Sequence, residues 1–187
     1  MPDPARKLAT YDDLLAVPEE FVAEILNGEL IAMPRPALRH AKASSSLGMD
    51  LGGPFQRGRG GPGGWLILDE PELHLGADVL VPDLAGWRRD RAPDLAAPWT
   101  DQVPDWLCEV LSDATRGLDR VRKLPIYARA GVGHVWLVDP AARTLEVFRK
   151  HERAWLLVAT FGGSDLVRAE PFDAIELDLG GLWDPIE

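Results

Sequence analysis

The chain has 187 residues, of which 46% are hydrophobic and 27% charged, and its formal net charge is −10. This balance is typical of one globular domain, so we expect residues 1–187 to form a single domain. The one cysteine, Cys108, excludes an internal disulfide and a cysteine-based zinc site, and with no long apolar run we expect no membrane span and a cytoplasmic location.

The N-terminal half is composed of short elements separated by turn residues. Residues 10–13 have the pattern of a capping box, which predicts the start of a short helix. Asn27-Gly28 predicts a hairpin, and the glycine-rich residues 52–64 predict a surface loop. The other elements predicted in this half are strands at 22–26, 29–33, 65–69, 73–75 and 80–87 and a helix at 38–51.

The C-terminal half predicts a parallel βαβ unit. An apolar strand at 106–111 is followed by a helix that Ser112 or Asp113 caps and that stops at Gly131. A second apolar strand at 134–138 would then lie parallel to the first. Further strands are predicted at 144–148, 155–161 and 174–177. The expected fold class is therefore α/β, with a mixed sheet flanked by helices.

Two acidic residues interrupt predicted strands that are otherwise apolar. Asp83 follows Val81-Pro82, and Glu109 shares one strand face with Leu107 and Leu111. A carboxylate in a buried strand requires a partner or a cation. Two carboxylates on neighbouring strands would suit Mg²⁺, which prefers oxygen ligands, and a nearby lysine such as Lys123 would stabilise charge on a phosphate.

Each of these residues also has a purely structural interpretation, which the sequence leaves open. Asp83 could cap a turn at a strand end, and Glu109 could pair with an arginine of the following helix. Lys123 by itself is typical of a helix surface, although Asp119 lies four residues before it and could orient it.

An ordered set of segments resembles the Uma2 family. The segments are Glu24-Ile25-Leu26-Asn27-Gly28-Glu29-Leu30, Arg39-His40, Val81-Pro82-Asp83, the run from Pro104 to Thr115, Asp119 with Lys123, the run from Tyr127 to Val132, and the run from Val135 to Pro140. The resemblance covers most of residues 10–150. It implies a restriction-endonuclease-like fold and a place among the PD-(D/E)XK nucleases.

The resemblance also implies roles for individual residues. It identifies Asp83 and Glu109 as the metal-binding acids and Glu24 as a further catalytic acid, with His40 in a supporting role. The superfamily usually places its lysine two residues after the second acid, where this chain has Leu111. Lys123, oriented by Asp119, would therefore have to supply the catalytic cation from the next helix.

The leading hypothesis is an endonuclease that uses Mg²⁺ or Mn²⁺ to cleave DNA, with a homodimer as the expected assembly. Two alternatives stay open, namely a non-enzymatic binding or assembly module with a vestigial acidic site and a small-phosphate or nucleotide phosphodiesterase. The net charge of −10 argues against tight non-specific DNA binding. However, residues 35–59 and 116–129 each contain five basic residues and one acidic residue.

Overall fold

The computed structural model describes residues 7–184, which form strands in two main sheets and helices packed on them. The strands, in chain order, are β1 Phe21–Leu26, β2 Glu29–Pro34, β3 Trp65–Asp69, β4 Leu73–Leu75, β5 Asp78–Leu80, β6 Leu84–Arg88, β7 Trp106–Val110, β8 His134–Asp139, β9 Thr144–His151, β10 Ala154–Gly162, β11 Leu166–Val167 and β12 Leu177–Asp178. The helices are α1 Tyr11–Leu15, α2 Leu38–Leu51, α3 Arg116–Leu118, α4 Leu124–Ala130 and α5 Gly180–Trp183.

The larger sheet has six strands in the order β10-β9-β8-β7-β6-β3. Its one parallel pair is β7 with β8, and its other neighbours are antiparallel. The helical segment between β7 and β8 consists of α3, a π-helical turn Asp119–Lys123 and α4, and it ends at Gly131 with φ of 101°. The predicted βαβ unit and the mixed sheet are therefore confirmed.

Both faces of this sheet are covered, which explains why its central strands are continuously apolar. One face packs on α2 through a cluster that includes Leu47, Cys108 and Trp136. The opposite face packs on α4 through a cluster that includes Leu107 and Leu137. Within the described residues, no helix is long and apolar enough to cross a membrane.

The smaller sheet has four strands in the order β2-β1-β5-β4. Its β1–β2 hairpin turns at Asn27 and Gly28, whose φ values of 52° and 77° are both positive, as a tight two-residue hairpin turn requires. The predicted hairpin and the predicted capping box of α1 are both present.

The predicted strand at 80–87 is wrong, because two strands that belong to different sheets replace it. β5 ends at Leu80 in the smaller sheet, and β6 begins at Leu84 in the larger one. The chain crosses between the sheets at Val81-Pro82-Asp83, where Pro82 has no amide hydrogen for a ladder. Asp83 therefore lies at a crossing point and not inside a strand.

Two other predicted elements need correction. The glycine-rich segment is not all loop, because Gly52–Gln56 continues α2 as a π-helical turn that buries the ring of Phe55. The last strand does not cover 174–177, since β12 begins at Leu177 and pairs with β11.

Candidate active site

A pocket of about 280 Å³ opens where the two sheets meet the first turn of α2 and the helical segment 116–130. All six residues predicted for the site line this pocket: Glu24, His40, Asp83, Glu109, Asp119 and Lys123. They come from five separate parts of the chain, so only the tertiary fold brings them together. The structure does not by itself assign them catalytic or metal-binding roles, which stay predictions.

The ammonium of Lys123 lies among three carboxylates. Its Nζ is 2.9 Å from Oε1 of Glu24, 3.3 Å from Oε1 of Glu109 and 3.5 Å from Oδ1 of Asp119. Lys123 is only 3% exposed, and the three acids are equally buried. The lysine is therefore not a helix-surface residue. Its charge lies on the same side of the sheet as Glu109.

The π-helical turn Asp119–Lys123 accounts for the placement of both residues. Asp119 and Lys123 are buried members of this turn, whereas Val121 between them is largely exposed. Pro125 follows directly at the start of α4 and has no amide hydrogen for the regular helical ladder. A wider turn of this kind is frequent at functional sites.

Glu24 contacts both the lysine and the backbone at the crossing between the sheets. Its Oε1 accepts a hydrogen bond from the amide of Val81 at 2.8 Å as well as from Lys123. Its Oε2 is buried and has no hydrogen-bond partner among residues 7–184. An unpartnered buried carboxylate oxygen is costly, so this atom marks a position where a cation or a water would be stabilised.

Asp83 is held by a different pair of donors. Its Oδ2 accepts a hydrogen bond from the amide of Val110 at 2.7 Å, at the end of β7. Its Oδ1 lies 3.2 Å from Nε2 of His40, in the first turn of α2. Burial by itself would lower the pKa of His40, but the hydrogen bond and the charge of Asp83 outweigh burial, and the pKa is raised.

Glu109 is contacted by Tyr127, a residue outside the six predicted for the site and expected from the sequence to pack in the core. The hydroxyl of the fully buried Tyr127 donates a hydrogen bond to Oε1 of Glu109. The sequence offered a signal, because Tyr127 lies four residues after Lys123 and eight after Asp119. Packing is the commoner role of a buried tyrosine, and that spacing alone does not distinguish it from a role at a site.

The site carries more negative than positive charge. Four carboxylates face one ammonium and one imidazole. Burial raises the pKa of Glu109 well above its usual range, although Lys123 acts in the opposite direction, and burial also raises the pKa of Asp119. The carboxylates therefore favour either a bound proton or a second cation.

The predicted basic cluster 116–129 is largely neutralised by acids elsewhere in the fold. Besides Lys123, four of its residues form ion pairs, which are Arg116–Asp139, Arg120–Glu146, Arg122–Glu29 and Arg129–Asp78. From the first cluster, Arg35 and Arg39 line the pocket, and Arg39 is a mainly exposed side chain that contacts the exposed Asp113. Besides Lys123, the basic groups that line the pocket therefore come from Arg35, which precedes α2, and from Arg39 in its first turn.

Comparisons with known proteins agree with the fold. A family model described as "Uma2: Putative restriction endonuclease" matches residues 8–180. A solved structure described as "a putative nuclease belonging to DUF820" from Anabaena variabilis ATCC 29413 superposes with a TM-score of 0.76 at 23% identity, over 94% of this chain and 97% of that one. A search of curated proteins found no match.

Proposed function

This chain belongs to the Uma2 family, and we propose that it is a metal-dependent endonuclease of the PD-(D/E)XK type that hydrolyses phosphodiester bonds in DNA. The observation that carries the proposal is the convergence of Asp83, Glu109 and Lys123 on one pocket. Nucleic acid as the substrate is supported by the family description and by the description of the DUF820 protein as a nuclease.

The donor set fits a hard divalent cation. No group of three or more histidine, cysteine or acidic side chains within the described range is arranged to enclose a metal. Mg²⁺ does not need such an enclosure, because it commonly binds one or two carboxylates and keeps several waters. Asp83 and Glu109 would hold it, and the unpartnered Oε2 of Glu24 would accept from one of its waters. When bound, Mg²⁺ or Mn²⁺ would polarise the phosphoryl group and lower the pKa of an attacking water.

The side chains of this site would prepare it for that chemistry. Lys123 contacts Oε1 of Glu109 and offsets part of the negative charge of that carboxylate. His40 and the amide of Val110 fix both oxygens of Asp83, so this carboxylate has one orientation. Asp119 contacts the ammonium of Lys123 at 3.5 Å and would orient it.

The mouth of the pocket would contact the DNA backbone. Arg35 and Arg39 line it, and a guanidinium matches the geometry of a phosphate group. Because the whole chain carries a net charge of −10, we expect the affinity for DNA to depend strongly on salt and on these few residues. A homodimer and a cytoplasmic location stay predictions, and sedimentation analysis would test the former.

A plasmid-nicking assay tests the proposed function. Supercoiled DNA would be incubated with the protein and Mg²⁺, Mn²⁺ or EDTA, together with variant Asp83→Asn, which keeps the shape of the side chain but removes its charge. Asp101→Asn is the matched control, because Asp101 is exposed and lies outside this pocket. We expect the wild type and Asp101→Asn to nick the plasmid only when metal is present, and Asp83→Asn not to nick it. Equal nicking by Asp83→Asn would indicate a contaminating nuclease.

One feature favours a non-enzymatic alternative. The ammonium of Lys123 already neutralises part of the acidic cluster, as it would in a vestigial site of a binding or assembly module. Calorimetry distinguishes the two functions, because a vestigial site would take up no Mn²⁺ even at millimolar concentration. Absence of both uptake and nicking would support the module.

A further inference from the structure

Tyr127 has a role in the fold that packing alone does not explain. Its ring is fully buried in the cluster between α4 and the larger sheet, together with Leu107 and Leu137. The hydroxyl nevertheless donates a hydrogen bond to Oε1 of Glu109, a residue that lines the pocket. A phenylalanine would fill the apolar part of this position, so the hydroxyl serves the carboxylate.

The two hydrogen bonds that Glu109 accepts through its side chain have the same acceptor atom. Both Tyr127 and Lys123 donate to Oε1. These donors come from successive turns of one helical segment, and each is held by burial. These two bonds restrict rotation of the Glu109 carboxylate about χ3, a torsion that otherwise has a broad range of values. Its second oxygen, Oε2, is the one left to coordinate a cation.

We propose that Tyr127 is a positioning residue of the metal site, which holds Oε1 of Glu109 so that Oε2 is presented to the divalent cation. This inference rests on the proposed function, because it requires that Glu109 binds a metal. Tyr127 itself touches neither the metal nor the substrate. Partners of this kind typically change metal affinity or activity 10- to 100-fold when they are removed, as an order of magnitude.

The chain supplies a matched control, because it contains only two tyrosines. Tyr11 also donates its hydroxyl to a glutamate, Glu72, at 2.7 Å. Glu72 does not line the pocket that contains Glu109. Tyr127→Phe and Tyr11→Phe therefore remove the same group from the same kind of partner, but only one of them acts on the site.

Calorimetric titration of the full chain with Mn²⁺ alone, without DNA, tests the inference. We expect Tyr127→Phe to raise the Kd for Mn²⁺ about tenfold and Tyr11→Phe to leave it unchanged. Thermal unfolding of the metal-free proteins would report any purely structural effect separately. An unchanged or tighter Kd in a folded Tyr127→Phe protein would overturn the inference and leave the proposed function intact. A wild type that takes up no Mn²⁺ would refute the proposed function instead, and the inference with it.

A second measurement needs no variant at position 127. Protein labelled with 3-fluorotyrosine has two ¹⁹F resonances, which the Tyr11→Phe protein assigns. Titration with Mg²⁺ should shift the Tyr127 resonance with the Kd that calorimetry gives for Mg²⁺, because the carboxylate that accepts its hydrogen bond becomes a metal ligand. The Tyr11 resonance should not move. A Tyr127 resonance that stays fixed while Mg²⁺ binds would contradict the positioning role.

Discussion

Replacing Lys123 by methionine should destabilise the metal-free protein strongly. The substitution keeps an unbranched chain of similar length and removes only the ammonium, which lies within 3.5 Å of the carboxylates of Glu24, Glu109 and Asp119. These acids are 0–3% exposed, so bulk water would solvate them poorly after the cation is lost. The variant would leave three buried carboxylates without their common partner.

The expected loss in the free energy of unfolding follows from the distances between Nζ of Lys123 and the three carboxylates. At an effective dielectric constant of about 20, each contact of about 3 Å contributes about 5 kcal/mol of gross Coulomb attraction. Desolvation of the four groups and repulsion among the acids offset most of that sum. Removal of one partner from a buried ion pair typically costs about 3–5 kcal/mol, and we expect Lys123→Met to fall in this range at pH 7.

The loss should also depend on pH in a defined direction. Burial already raises the folded-state pKa of Glu109 and of Asp119, and loss of the ammonium, which acts in the opposite direction, would raise both further above the unfolded value of about 4.3 for a glutamate. A carboxyl group with a raised folded-state pKa destabilises the fold increasingly as pH rises above its unfolded pKa, and not below it. The difference between variant and wild type should therefore shrink as the pH is lowered from 7 toward 4.3.

Urea unfolding of both proteins at pH 7 and pH 5 measures this difference. Lys7→Met is the control, because Lys7 contacts Asp13 at 3.8 Å on an exposed surface, where an ion pair contributes little to stability. A loss below about 1 kcal/mol for Lys123→Met, or one that does not diminish at pH 5, would refute the argument that the ammonium neutralises ionised carboxylates.

Two further predictions concern other parts of the molecule. Gly86→Ala should lower the free energy of unfolding in urea by about 1–3 kcal/mol. The new Cβ would lie 3.1 Å from the ring of Trp106 and 3.4 Å from that of Trp65, and both rings are buried. Gly181→Ala is the control and should leave the free energy of unfolding unchanged, because Gly181 is exposed and no atom lies within 4 Å of the added Cβ. Arg39→Ala should weaken DNA binding measured in EDTA and lower the salt slope by about one, and an unchanged slope would show that Arg39 does not contact a phosphate.

Local sequence patterns predicted those parts of the fold that depend on nearby residues. Asn27-Gly28 specifies a hairpin turn by itself, since both residues tolerate a positive φ. The apolar run of β7 identified a central strand covered on both faces, because a sheet of this kind leaves no polar alternation. These features required no knowledge of distant contacts.

The parts that the sequence did not predict depend on contacts between distant residues. The interruption between β5 and β6 lies where the amide of Val81 donates a hydrogen bond to Glu24, which is 57 residues earlier in the chain. The role of Tyr127 depends in the same way on Glu109, 18 residues away. Local propensity contains no information about such partners. The strand pattern and the family resemblance predicted the six site residues, but neither predicted their geometry.

Lys123 shows how the fold can bring a lysine beside Glu109 from another element. A lysine at position 111 would share a strand face with Glu109, but Leu111 occupies that position and packs in the core beside α4. The π-helical turn brings Lys123 to the same face, with its Nζ 3.3 Å from Glu109. The ammonium is thereby anchored by Glu24 and Asp119 as well. Loss of Glu24 or Asp119 should therefore act on the site through the position of Lys123.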